Sequence, residues 1–76
     1  MPLLVRLQLC RVYIYARDHN PPHVHVRTPD GDAAVAIRGQ RLLAGEVDRR
    51  AMREATEWIA RNADVLEEIW DELRLT

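Results

Sequence analysis

Apolar and polar residues alternate along the first part of the chain, and this pattern predicts two β-strands. Residues 3–9 and 11–17 each carry an apolar side chain at every second position. Because strand side chains point alternately to opposite faces, each segment is expected to bury one face. Only Cys10 separates the two segments, so either a tight hairpin or a bulge with a bend is expected there. The apolar sets are Leu3, Val5, Leu7 and Leu9 in the first strand, and Val12, Ile14 and Ala16 in the second.

A third and a fourth strand are predicted to form a hairpin around Asp30-Gly31. Glycine accepts the backbone conformations of a two-residue turn at no steric cost. The expected pairs are Thr28 with Ala33, Val26 with Val35, Val24 with Ile37, Arg27 with Ala34, His25 with Ala36, and His23 with Arg38. This register joins apolar residues on one face and sets small alanines opposite His25 and Arg27 on the other.

The last third of the chain has a helical period. Apolar residues recur at spacings of three and four from Asp48, an expected N-cap, to about Leu73. Asn62-Ala63-Asp64 interrupts this spacing, which leaves one continuous helix or two helices open. Residues 40–47 are expected to form a connection. Together these elements predict a single α+β domain over residues 1–76. Its antiparallel sheet of about four strands would carry the C-terminal helix, or kinked helix pair, on the valine face.

The charge of the chain is unevenly distributed, although the 76 residues have a net charge of only -1. That net charge does not by itself imply a general affinity for nucleic acid. Residues 1–41 hold six arginines against three aspartates, whereas residues 42–76 hold five arginines against nine acidic residues. The first half is therefore the part expected to meet an anion such as phosphate. The single cysteine, Cys10, excludes an internal disulfide and fits a reducing compartment. No apolar run approaches the roughly 20 residues of a membrane helix, and no signal-peptide pattern is present, so a cytoplasmic protein without membrane contact is expected.

All three histidines lie in the stretch Asp18-His19-Asn20-Pro21-Pro22-His23-Val24-His25-Val26-Arg27. Alternation places His23, His25 and Arg27 on the face opposite the valines. Tyr13 and Tyr15 are expected beside them on the neighbouring strand. The two prolines stiffen the loop before the third strand, although either bond before them can be cis. The loop would bring Asp18 and His19 close to His23.

Three interpretations of this face remain open. In the first, His23 or His25 acts as acid or base in RNA cleavage, Arg27 holds phosphate, and Tyr13 or Tyr15 stacks a base or donates a proton. In the second, His19, His23, His25 and Asp18 bind zinc or another divalent metal, because i and i+2 imidazoles share one face of a strand. In the third, the face is a protein interface without catalysis, since tyrosine and arginine are enriched at such surfaces.

The motif Asp18-His19-Asn20-Pro21-Pro22-His23-Val24-His25-Val26 closely resembles that of a family of small bacterial proteins known as domain of unknown function 4160. The resemblance extends over nearly the whole chain, from Met1-Pro2 to Asp30-Gly31-Asp32, Asn62 and Trp70. Members of such families often lie beside a second small gene, in an arrangement like a toxin–antitoxin pair. The resemblance therefore implies a cognate partner protein. Tyr13 and Tyr15 stand where the family pattern commonly has phenylalanine.

The sequence thus predicts a cytoplasmic α+β module that acts on RNA through its His/Arg/Tyr face, and the resemblance implies that it is one component of a toxin–antitoxin-like pair. A divalent-metal site at the three histidines is the second hypothesis, and a pure interaction module is the third. The sequence leaves open the substrate, the identity of the partner and the oligomeric state. A homo-oligomer is one of the states that it allows.

Overall fold

The computed structural model describes residues 3–16 and 19–75, and their elements form an α+β fold, as predicted. An antiparallel sheet has the strand order β1-β2-β3-β4-β5, and two helices follow it. The strands are β1 (Leu3–Arg6), β2 (Arg11–Tyr13), β3 (His23–Thr28), β4 (Gly31–Ala36) and β5 (Leu42–Gly45), and the helices are α1 (Arg49–Arg61) and α2 (Ala63–Arg74).

The fifth strand was not predicted, because β5 forms within the segment expected to be a connection. Its register with β4 pairs Ala44 with Ala34 and Leu42 with Val35. The sequence Leu-Leu-Ala-Gly, in which only Leu43 is partly buried, has no alternation of its own. Pairing with β4 therefore decides its conformation, as is usual for short edge strands.

The first hairpin has shorter strands and a longer turn than predicted. Residues 7–10 form the turn, in which the Leu7 amide donates to the Cys10 carbonyl at 2.8 Å. Helix α1 supports this turn through the side chain of Glu54. The two carboxylate oxygens of Glu54 accept hydrogen bonds from the Gln8 amide at 2.9 Å and the Leu9 amide at 2.8 Å. The turn is thus held by a side chain more than 40 residues later in the sequence. The local sequence pattern did not predict this contact.

The hairpin of β3 and β4 differs from the predicted register by two residues. Thr28 pairs with Gly31 and Val24 with Val35, so the turn is Pro29-Asp30 and Gly31 already belongs to β4. The Thr28 hydroxyl oxygen accepts hydrogen bonds from the amides of Asp30, at 3.2 Å, and Gly31, at 3.0 Å. Proline suits the second position of such a turn. A shift of two residues leaves every side chain on its predicted face.

The valine face of the sheet is the core, as predicted. Its valines and the apolar stripes of both helices form one cluster, in which most side chains have no exposed surface. Fully buried members include Val12, Ile14, Val24, Val26, Val35, Ile37, Ala51, Ala55 and Ile59.

The C-terminal segment consists of two helices separated at Asn62. Asp48 is the N-cap of α1, as predicted, and its carboxylate accepts a hydrogen bond from the Ala51 amide at 2.8 Å. At the break, the Asn62 side-chain amide donates to the Trp58 carbonyl at 2.8 Å. Arg38, after β4, forms ion pairs with Asp64 and Glu67, which fasten α2 to the sheet. No helix in residues 3–16 and 19–75 is long and apolar enough to cross a membrane.

Candidate functional site

A continuous row of aromatic rings crosses the face of the sheet opposite the valines. We call Tyr13, Tyr15, His25 and His23 the aromatic column. The tyrosine rings lie 6.2 Å apart with nearly parallel planes, at 9°. Tyr15 meets His25 edge-on at 4.7 Å between ring centroids, and His25 meets His23 at 5.0 Å. The contact between Tyr15 and His25 is diagonal, because the residue of β2 directly opposite His25 of β3 is Tyr13.

The aromatic column ends at Arg27, whose guanidinium carbon lies 5.7 Å from the centroid of the Tyr13 ring. This distance is within the range of a cation–π contact. The Arg27 Nε also donates to the Asp32 carboxylate at 3.4 Å, and that hydrogen bond and charge raise the pKa of Arg27. The structure therefore brings together Tyr13, Tyr15, His25 and Arg27, which alternation had placed on one face.

His23 differs from the other members of the aromatic column, because only 5% of its surface is exposed. Its ring lies 5.2 Å from that of Trp70, on α2. His23 Nδ1 is 2.8 Å from the Pro21 carbonyl oxygen. A carbonyl oxygen only accepts, so Nδ1 is the donor and carries a proton. The sequence placed His23 on a polar outer face, and the burial by Trp70 was not predicted.

The loop before β3 is anchored to the sheet. The Ile37 amide donates to the Pro22 carbonyl at 3.0 Å, and the bond between Asn20 and Pro21 is cis. His19 is exposed on this loop, with its ring 5.9 Å from that of His23. Asp18, which was predicted to join it, lies outside the described residues.

Among the three histidines, the ring of His23 therefore has both of the others as neighbours, His19 at 5.9 Å and His25 at 5.0 Å. Within residues 3–16 and 19–75, no group of three or more His, Cys, Asp or Glu side chains is arranged to hold a metal ion. The metal site at His19, His23, His25 and Asp18 stays a prediction.

A groove that the sequence did not predict adjoins the aromatic column at Tyr13. We call it the arginine groove. Arg6, Arg11 and Arg27 are direct cross-strand neighbours on β1, β2 and β3, and Asp32 follows on β4. These four side chains, Tyr13 and the turn at residues 7–10 line a groove of about 530 Å³. Arg6 alternates with Val5 and Leu7, and Arg11 precedes Val12, so alternation alone places both arginines on the polar sides of their strands. Only the cross-strand register shows that they are neighbours.

Cys10 is the most buried residue of the turn that lines the arginine groove, in a setting that keeps its thiol protonated. The residue is 5% exposed, and its Sγ is 3.6 Å from Glu54 Oε1. Burial first, and the carboxylate of Glu54 second, raise the pKa of Cys10 to about 12. A thiol with so high a pKa is a poor nucleophile at neutral pH. Cys10 therefore acts as a core residue.

Comparison with known proteins identifies a family, but this family has no described activity. No curated protein and no solved structure matches the chain. The family model described as Domain of unknown function (DUF4160) matches residues 10–71, which include the aromatic column, most of the arginine groove and nearly all of both helices. The chain therefore belongs to the family Domain of unknown function (DUF4160).

Proposed function

We propose that this protein is one component of a toxin–antitoxin-like pair and that its sheet face binds single-stranded RNA. One observation carries the proposal, namely the aromatic column that ends under the guanidinium of Arg27. Exposed aromatic rings on a sheet stack unpaired bases, and neighbouring arginines hold the phosphates between them. Tyr13, Tyr15 and His25 are all partly exposed, so their rings are accessible to bases.

Small residues beside the aromatic column leave room for a base. Ala34 of β4 lies opposite His25, and Ala44 of β5 lies opposite Ala34. No long side chain at these positions rises above the sheet next to His25. A base stacked on His25 therefore has space on the side of β4 and β5.

His25 is the residue of the aromatic column that we assign to acid–base chemistry. Histidine changes its charge near neutral pH, and His25 is partly exposed whereas His23 is buried against Trp70. In the proposed cleavage, His25 accepts the proton of a ribose 2′-hydroxyl, whose oxygen attacks the adjacent phosphorus. The bond from phosphorus to the 5′-oxygen breaks, and a tyrosine hydroxyl protonates that oxygen. The products are a 2′,3′-cyclic phosphate and a 5′-hydroxyl. Arg27 would offset the negative charge that develops on the phosphorane.

A partner protein is expected to cover the same face. Tyrosine and arginine are among the residue types enriched at the centres of protein interfaces. A partner seated on the aromatic column would block access to RNA, which is how an antitoxin acts on such a component. The same residues therefore serve both parts of the proposal.

The test of binding measures fluorescence anisotropy of a labelled single-stranded RNA at low salt, with the duplex of the same sequence beside it. Tyr13→Leu removes a stacking ring and should weaken binding about 5- to 150-fold, since one base–aromatic stack is worth roughly 1–3 kcal/mol. Tyr13→Phe keeps the ring and should bind as the wild type does. Equal affinities of the Leu and Phe variants would contradict stacking.

The test of cleavage combines growth on expression with analysis of RNA ends. His25→Ala should abolish growth arrest and the formation of 2′,3′-cyclic ends, in a protein that circular dichroism shows to be folded. His23→Ala is the variant matched to His25→Ala, because it removes the buried imidazole ring instead of the partly exposed one. Unaffected growth and intact RNA with the wild-type protein would count against cleavage.

The same preparations test the metal hypothesis. About one zinc ion per chain, measured on untagged protein and lost in His19→Ala, would favour the metal hypothesis over RNA cleavage. A melting temperature that zinc, nickel and manganese leave unchanged would remove it.

A further inference from the structure

We propose that the arginine groove binds a terminal phosphate monoester of the RNA. This inference rests on the proposed function, because it names the chemical group that the RNA presents beside the aromatic column. The aromatic column by itself does not require a phosphate site in the arginine groove. The observation that carries it is a separate one, namely three arginines in adjacent strands around a concave surface.

The arginine row is repulsive in the folded protein. Arg6 lies directly opposite Arg11, and Arg11 directly opposite Arg27, although like charges in these cross-strand positions destabilise a sheet. Among the described residues, Arg27 has an ion pair with Asp32, while Arg6 and Arg11 have none. A bound anion between these side chains would relieve the repulsion. Arginine is also the side chain whose planar fork fits two oxygens of a phosphate.

The arginine groove has the size and charge that a phosphorylated nucleotide needs. Its volume of about 530 Å³ lies within the range of roughly 300–1,000 Å³ in which proteins bind small molecules. Asp32 is the carboxylate among its lining residues, and it lies opposite Arg27, at the end of the row away from Arg6. Glu54, the nearest acidic residue of α1, directs its carboxylate to the backbone of residues 8 and 9 and does not line the groove. The part of the groove between Arg6 and Arg11 is therefore positive.

The position of Tyr13 connects the arginine groove with the aromatic column. Tyr13 lines the groove and also stacks against Tyr15, and Arg27 lines the groove and lies over Tyr13. A phosphate held between Arg6 and Arg11 would place its nucleoside next to the Tyr13 ring. An RNA strand that continued along Tyr15 to His25 would then have its phosphorylated end in the arginine groove. A dianionic terminal phosphate interacts with a three-arginine site more strongly than a monoanionic backbone phosphate does.

The experiment compares two single-stranded RNAs of one sequence, with and without a 5′-phosphate, in binding to the full chain. The wild-type protein should bind the phosphorylated RNA about tenfold more tightly, as expected for one additional charge-assisted contact. Arg11→Gln should remove this preference, and Arg53→Gln, an exposed residue of α1, should keep it. Because Arg11→Gln also removes repulsion, its melting temperature should equal or exceed that of the wild type. Equal affinities of the two RNAs for the wild-type protein would overturn the proposal. A preference that persists in Arg11→Gln would overturn it as well.

Inorganic phosphate separates this proposal from the proposed function. In an NMR titration, phosphate should shift the amide signals of residues 6–11 and 27 in the wild-type protein but not in Arg11→Gln. If phosphate produces these shifts while neither RNA binds, the groove is a site for small phosphates and the RNA function fails. If unphosphorylated RNA binds and phosphate produces no shift, the aromatic column stands and the groove proposal fails.

Discussion

Replacing Glu54 by glutamine tests the contact that holds the first hairpin in place. In the native protein each carboxylate oxygen accepts a backbone hydrogen bond, from Gln8 at 2.9 Å and from Leu9 at 2.8 Å. Glutamine retains one oxygen and presents an amide group, itself a donor, to the second backbone amide. Glu54→Gln therefore loses one bond to a charged acceptor and weakens the other.

The expected cost follows from these two bonds. A hydrogen bond to a charged group contributes about 1.5–3 kcal/mol. Because Gln8 and Leu9 are exposed, water replaces part of that interaction and the lower end applies. We expect Glu54→Gln to reduce the free energy of unfolding by about 2 kcal/mol, which corresponds to a fall in melting temperature of roughly 10 °C for a domain of this size. Glu54→Ala, which removes both bonds, should cost about 3 kcal/mol.

The assay is urea unfolding followed by tryptophan fluorescence, with Glu57→Gln as the matched control. Glu57 is an exposed residue of α1, and its replacement removes the same charge without a bond to the turn. A second measurement is the rate at which Cys10 is alkylated. The loss of the neighbouring carboxylate lowers the pKa of Cys10 and exposes the turn above it, so alkylation should accelerate in Glu54→Gln. Equal stabilities of the Glu54 and Glu57 variants would refute the reasoning.

Two further predictions concern the alkaline stability and the β4–β5 pairing. The ordinary pKa of a cysteine thiol, 9.0, is raised to about 12 in the folded state. The folded protein therefore keeps a proton that the unfolded chain has lost. Stability should be complete below pH 9 and fall towards pH 12, by about 1.4 kcal/mol per pH unit. Urea unfolding under reducing conditions at pH 8, 10 and 11 should show this slope, and Cys10→Ala should lack it; an identical slope in the variant would contradict the assignment. Gly45 has a φ of 70°, and an added Cβ would lie 2.2 Å from the Asp32 carbonyl oxygen. Gly45→Ala should therefore destabilise the protein by at least about 2 kcal/mol. Gly39→Ala is its control, because Gly39 has a φ of 76° but no atom within 4 Å of its Cβ position. Equal unfolding free energies for the two alanine variants would show that the close approach at Gly45 is not the cause.

The elements whose burial follows a local period were predicted from the sequence. The alternation in residues 11–16 and 23–28 identified the valine core, and the helical spacing after Asp48 identified the stripe that packs on it. Asp48 is the N-cap because its short carboxylate reaches an amide three residues later, which is a local interaction. The predicted faces of β3 and β4 were correct although the predicted register was wrong, because a shift of two residues leaves each side chain on the same face.

Interactions between residues distant in sequence were not predicted, and they decide most of the candidate site. Strand β5 depends on pairing with β4, and the turn at residues 7–10 depends on Glu54. His23 was expected on the same polar face as His25. Trp70, on the last helix, covers His23 and leaves His25 accessible.

By itself, the sequence determined the fold class, the core face and the group of side chains around His25, because each of these depends on local period and local hydrogen bonding. Only the tertiary structure decided which histidine is buried and that Arg6, Arg11 and Arg27 form one groove. The physical reason is that cross-strand register and helix placement are set by packing and pairing across the whole chain. Alternation fixes the face on which a side chain lies but not its neighbours on that face.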